Sequence, residues 1–265
     1  MKKISIMVAI SCLAMSFFAG AASAKDEVLL QDMATLDQKY IRPLFMTSQV
    51  PQKATEAIGT MNAYVNEWNY FYNSYANYRP NEVNWIDLFN TMDDAVFAAA
   101  GIVQSCKENL DVESNSCPGI NLQQAHEELE VVRETMKDLR TRNGFPKFVT
   151  DKLTAFHEPM EAIVLSLRSP DVVIDEEMIA NLEELLDECY FLWKKVEDCP
   201  VDMYQWGYTD ADEFQYQQLV QNVYNKLNAF AAALASGNEA DMVATSMPIK
   251  KAFVPVMLFF GGIQP

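Results

Sequence analysis

The two histidines of this chain each begin the same five-residue pattern, histidine-glutamate-x-x-glutamate. His126 is followed four positions later by Glu130, and His157 is followed by Glu161. Because four residues are about one helical turn, each histidine and its second glutamate should share one side of a helix. Two imidazoles and two carboxylates suit a divalent transition metal such as zinc, copper, nickel or iron better than calcium or magnesium.

The segment between the two motifs should bring them together. Residues 143–146 read Asn-Gly-Phe-Pro, a combination typical of a tight turn between helices. Such a turn folds its helices antiparallel, so residues whose numbers add up to about 288 should lie opposite one another. His126 should then face Glu161, and Glu130 should face His157. The sequence therefore predicts a metal site formed by these four residues.

The same residues admit other interpretations. The histidine–glutamate pairs could instead clamp the two helices as ion pairs, with Arg133, Arg140 and Arg168 in the same network. The chain would then be a non-catalytic interaction or scaffold module with an unknown protein partner.

An enzyme of the di-iron carboxylate type would need more carboxylates, and no complete motif of that kind is present. The sequence also lacks a nucleophile elbow, a phosphate loop and a serine triad. These observations favour a protein that is not an enzyme.

The elements that must position the motifs are helices. Glycines are few, alternating β-strand patterns are absent, and apolar residues recur at three- and four-residue spacing. Proline and glycine combinations mark the breaks. The sequence predicts an all-α helical bundle of about eight helices. They lie near 27–47, 51–78, 81–107, 120–142, 146–168, 175–198, 210–236 and 238–260.

The two halves of the chain show a faint internal duplication. The segment 40–43 aligns with 157–159, and Trp68 aligns with Trp193. This pattern favours two tandem four-helix units, at 25–142 and 143–265, or one merged domain. The outline resembles that of secreted, iron-linked helical proteins such as imelysins. Their glycine-x-histidine-x-x-glutamate signature is missing here, so the resemblance is one of architecture and carries no site residues across.

The amino terminus has the pattern of a cleavable secretory signal over residues 1–24. Lys2 and Lys3 precede an apolar stretch, which ends at Ala22-Ser23-Ala24. We expect cleavage after Ala24 and a periplasmic or secreted mature protein. The longest nearly uncharged run elsewhere, 252–263, is too short to span a bilayer, so no membrane span is expected in the mature protein.

The chain is strongly acidic. Its formal charge is −17, and loss of the two signal-peptide lysines would take it to −19. Nucleic acids and anionic membranes attract basic surfaces, so both are disfavoured as partners. A metal ion or a basic protein remains compatible with this charge.

Cysteines and loop aromatics give two further predictions. Outside the signal, the expected disulfides are Cys106–Cys117 and Cys189–Cys199, since export favours disulfides over a four-thiolate metal site. The aromatic residues of the loop that follows Cys199 are predicted to be exposed and to contact a partner. They are Tyr204, Trp206 and Tyr208.

Overall fold

The computed structural model describes residues 24–79, 81–82, 84–145, 148–169 and 172–263. Within these residues the fold is built from eight α-helices, as the sequence predicts, with one short 3-10 helix, Tyr204–Trp206, between the sixth and seventh. The helices are α1 Ala24–Thr47, α2 Ala54–Tyr75, α3 Trp85–Glu108, α4 Leu122–Arg142, α5 Val149–Ser166, α6 Glu176–Glu197, α7 Asp210–Ser236 and α8 Glu239–Phe260. The first 23 residues lie outside the described chain, so the signal peptide stays a prediction.

Apolar faces at helical spacing bury one continuous core in the described chain. On α2 and α3 this core is aromatic. The ring centroids of Phe71 and Phe89 lie 5.6 Å apart in a stacked arrangement, and Trp68 stacks on Phe89 at 6.0 Å. The buried indole of Trp68 donates a hydrogen bond of 2.8 Å to Asp93. The aromatic stripe of α2 therefore serves packing.

The pattern of contacts between helices is the same in both halves. Each of α1 to α4 packs on the next and α4 returns to α1, and α5 to α8 repeat this arrangement. The two sets meet where α1 packs on α8 and where α4 contacts α5. The four helices at this junction carry the candidate site. Whether the two sets are separate domains stays a prediction.

Helix α1 is fastened to the second set by polar contacts to main-chain carbonyls. Arg42 donates to the carbonyls of Gly261, at 2.6 Å, and Gly262, at 3.0 Å. The Gln38 amide donates to the carbonyl of Trp206. These contacts hold α1 against α8 and the 3-10 helix, and so fix one wall of the junction.

Helix α8 is the one helix of the described chain that is long and apolar enough to cross a membrane by length and composition. Half of its most apolar stretch is buried inside the fold, and a core helix of a soluble protein meets the same test. Its Phe253 packs on Phe156 at 5.5 Å, and its Phe260 packs on Trp206 at 4.9 Å. The end of the chain therefore docks into the core.

The first predicted disulfide is confirmed and the second is wrong. A reversal of the chain after α3, closed by backbone bonds between Asp111 and Ser116, brings Cys117 back to Cys106 with their Cα atoms 5.0 Å apart. Cys189 and Cys199 are both free. Cys189 lies in the middle of α6, so about 12 Å of helix separates it from the helix end, too far for a disulfide. Burial raises the pKa of the Cys189 thiol to about 12.

The predicted exposure of the loop aromatics is correct for only one of the three. Tyr204 is 70% exposed, but Trp206 is only 4% exposed. Tyr208 is half-buried, and its hydroxyl donates to the carbonyl of Phe259. Trp206 is buried because the 3-10 helix packs it against Phe148 and Phe260.

Candidate functional site

The register between α4 and α5 differs from the predicted one. Helix α5 begins at Val149 rather than at residue 146, because a longer connection follows Arg142. Opposing residues therefore have numbers that add up to about 291 instead of about 288. Arg133 faces His157, with Nη2 of the arginine 3.3 Å from Nδ1 of the histidine. The shift places an arginine where the sequence predicts a glutamate.

His126 is held by a main-chain contact to α1. Its Nδ1 lies 2.8 Å from the carbonyl oxygen of Leu44, and because a carbonyl only accepts, this nitrogen donates. Its Nε2 lies 3.3 Å from Oε1 of Glu130, one turn along the same helix. The predicted pairing of His126 with Glu161 across the helices is thus replaced by pairing within α4.

His157 lies beside Glu161 of its own helix, with Nε2 3.9 Å from Oε2, which is too far for a hydrogen bond. Its side chain is 23% exposed, and the charges of Arg133 and Lys250 act on it. Burial, with the charges of Arg133, Lys250 and His126, lowers the pKa of His157 to about 3. The imidazole is therefore neutral at physiological pH.

Each of the two glutamates is paired with a cation from the chain itself. Arg133 contacts Oε2 of Glu130, and Nζ of Lys250 lies 2.7 Å from both carboxylate oxygens of Glu161. Burial raises the pKa of the Glu130 carboxyl. The charges of Arg133 and His126 partly offset this effect, whereas the charge of Glu161 adds to it. The four predicted residues are thus gathered at one place, with an arginine and a lysine interleaved among them. We call these six residues the His/Glu cluster.

The donor set does not by itself suit a metal ion. No three histidine, cysteine, aspartate or glutamate side chains of the described residues are arranged to hold one. Two positive charges also lie directly on the two carboxylates, and they would oppose the approach of a divalent cation. The predicted metal site stays a prediction, and it would require Arg133 and Lys250 to move.

A second charged group, which sequence reasoning found only in part, lies beside this cluster. Arg140 is buried between two buried aspartates, Asp37 of α1 and Asp151 of α5. Its Nη1 lies 3.2 Å from Asp37, and its Nε and Nη2 donate to Asp151 at 2.5 to 3.0 Å. Thr150 donates to Asp37 at 2.7 Å. We call Asp37, Arg140 and Asp151 the buried triad.

One guanidinium serves both carboxylates of the triad. Burial raises the pKa of Asp37, and Arg140 and Thr150 only partly offset this. Burial alone would lower the pKa of Arg140, but Asp151 and Asp37 more than reverse the effect and raise it. The guanidinium therefore stays charged inside the fold.

A small cavity of about 10 Å³ joins the triad to the His/Glu cluster. Its lining includes Asp37, Tyr40, Arg133 and Arg140. The Tyr40 hydroxyl and the Nε of Arg133 have no hydrogen-bond partner among the described residues. A cavity of this size has room for about one water molecule. The cluster, the cavity and the triad together form a continuous polar seam between α1, α4, α5 and α8.

Comparison with known proteins does not assign the chain to a family. It matches no protein-family model, no curated protein and no solved structure. The class that the fold and the site define is an all-α bundle with a buried charged seam at the junction of two helical sets.

Proposed function

We propose that this chain is a non-catalytic interaction module, in which the His/Glu cluster holds helices together. The observation that carries the proposal is the pairing of Glu130 with Arg133 and of Glu161 with Lys250. A cation already paired with a carboxylate opposes the approach of a metal ion and lowers the basicity of that carboxylate. Here both carboxylates are engaged by cations of the chain, and the cluster connects α4, α5 and α8.

The exterior supports an interaction role with a basic partner. The net charge of −17 gives the molecule a field that attracts cationic surfaces and repels anionic ones. The outward face of α6 concentrates this charge, since the acidic residues that precede Phe191 are exposed, as is the Phe191 ring. These acidic residues are Glu176, Glu177, Glu183, Glu184, Asp187 and Glu188. A basic protein surface is the partner that such a face favours.

Metal binding is the second candidate, and one observation favours it. A histidine that ligates a metal usually donates its other ring N–H to a carbonyl or carboxylate, as His126 does to Leu44. The neutral imidazole of His157 also has the protonation state that a ligand needs. In this candidate His126, Glu130, His157 and Glu161 bind zinc, copper, nickel or iron after Arg133 and Lys250 swing away.

Substitution of the two cations separates the candidates. If the cluster is structural, Arg133→Met and Lys250→Met each leave a half-buried glutamate without its cation and lower the free energy of unfolding by about 1–3 kcal/mol. Added zinc should not restore the loss. The measurement is urea unfolding followed by circular dichroism, with and without zinc.

Lys194→Met is the control, because its ammonium pairs with Asp198 at the surface, where both side chains are more than 60% exposed. It should change the free energy of unfolding by less than about 1 kcal/mol. If removal of Arg133 or Lys250 instead created a zinc-dependent gain in stability, the metal candidate would replace the structural one.

A further inference from the structure

A basic groove lies on the outside of the same junction, between α4, α5 and α6. It encloses about 270 Å³. Lys137 of α4, Lys152 of α5 and Lys195 of α6 line it, with Thr141, Ala155 and Leu192. We call it the lysine groove. Three helices each contribute one lysine, so the fold rather than a run of basic sequence creates this concentration of charge.

The groove is basic, whereas the molecule as a whole is acidic. The chain carries 37 acidic residues against 20 lysines and arginines, yet one acidic residue, Asp151, lines this groove beside three lysines. The Asp151 carboxylate is already engaged by Arg140, whose Nε lies 2.9 and 3.0 Å from its two oxygens. Its charge is therefore shared with Arg140 and only partly offsets that of the three lysines.

Two of the three ammonium groups have no acidic partner in the part of the chain that the structure describes. Lys137 contacts Glu134, but neither Lys152 nor Lys195 forms an ion pair with a carboxylate of the described residues. Nζ of Lys195 lies 3.8 Å from the centre of the Phe191 ring. Lys152 lies near the half-buried thiol of Cys199, whose pKa is raised by burial and partly lowered again by this lysine. An anion that enters the groove would meet two ammonium groups that are not already paired with a carboxylate of the described residues.

We propose that the lysine groove binds the oxyanion group of a small molecule, either a phosphate or a carboxylate. Ammonium groups and the Thr141 hydroxyl are suitable donors to such oxygens. Ala155 and Leu192 supply an apolar wall for a short carbon skeleton. The volume lies just below the usual range of about 300–1,000 Å³ for ligand pockets, which favours a ligand of metabolite size.

A large polyanion does not fit the surroundings of the groove. The field of three lysines extends only about 10 Å at moderate salt, and beyond it the acidic exterior repels a nucleic acid. A compact anion places its whole charge inside the favourable region.

Calorimetric titration of the full chain tests the proposal. The probes are inorganic phosphate and citrate, each at an ionic strength held constant with sodium chloride. We expect saturable binding of at least one probe. The Lys152→Gln/Lys195→Gln variant should bind about tenfold more weakly, since two favourable charges are lost. Binding of phosphate alone would indicate a phosphate-bearing ligand, and binding of citrate alone a carboxylate-bearing one.

The Lys53→Gln/Lys107→Gln variant is the matched control. Both lysines are exposed and lie outside the groove, and the net charge changes by the same amount. Its affinity should change by less than about twofold. Equal losses in both variants would show that only the overall field acts, and would overturn the proposal. So would a lack of saturable binding of either probe. Lys195→Gln alone changes an exposed side chain and leaves the packing in place, and it should also weaken binding of the probe.

Discussion

Replacement of Arg140 by methionine should lower the free energy of unfolding by about 3–5 kcal/mol. The guanidinium is 3% exposed and lies between Asp37 and Asp151, whose side chains are 6% and 4% exposed. Methionine keeps much of the apolar stem but leaves two buried carboxylates that face each other without a cation. The loss comes from these uncompensated charges more than from the ion pairs themselves.

Two comparisons isolate this cause. Arg142→Met, two residues along the same helix, removes a partner of Asp138 at 2.6 Å where the arginine side chain is 51% exposed, and should cost less than about 1 kcal/mol. Asp37→Asn with Asp151→Asn, added to Arg140→Met, should recover much of the stability because no buried charge remains. Urea unfolding measures all three proteins. The buried triad would lose its assigned role if Arg140→Met cost no more than Arg142→Met.

Mild acid should destabilise the protein through His157, by up to about 1.4 kcal/mol for each pH unit. The folded state holds this imidazole neutral, with a pKa of about 3, whereas the unfolded chain takes up a proton near the usual value of 6.5. Between these two values the unfolded state binds more protons, so its free energy falls relative to the folded state as the pH decreases. The contribution is complete above about 6.5 and is lost progressively below it.

The test is a series of urea unfolding curves from pH 7 to 5. Wild-type protein should lose about 2 kcal/mol more than His157→Gln over this range, because glutamine has no proton to take up. The other acidic and basic groups are common to both proteins and cancel in the difference. Parallel pH profiles would mean that His157 has the same pKa in the folded and unfolded states. Burial and the charges of Arg133 and Lys250 would then not lower its pKa in the folded state.

The helices were predictable because their signals are local. Apolar residues at three- and four-residue spacing identified the helices, and proline and glycine marked most of their ends. The start of α5 was the exception, and it changed the predicted site. A difference of three residues at Val149 shifted the facing positions by almost one turn, and so exchanged Glu130 for Arg133 as the neighbour of His157. Local propensity cannot fix such a boundary, since the length of a connection depends on how the helices pack.

The remainder of the site depended on contacts between distant segments. Asp37 stands 103 positions before Arg140, and Lys250 stands 89 positions after Glu161. Nothing in the neighbourhood of Lys250 distinguishes it from a surface charge. The helix spacing on α1 does place Asp37 near Tyr40 and Ile41, so a charged residue on a buried face was the one available signal.

Zinc titration of metal-free wild-type protein tests the central claim. The claim is that Arg133 and Lys250 pair with the two carboxylates of the His/Glu cluster, in place of a metal ion. Calorimetry should show no stoichiometric uptake, and elemental analysis of protein purified from its native compartment should find no bound transition metal. About one tightly bound ion per chain, lost in the His126→Ala/His157→Ala variant while helicity is retained, would contradict the account and establish the metal site.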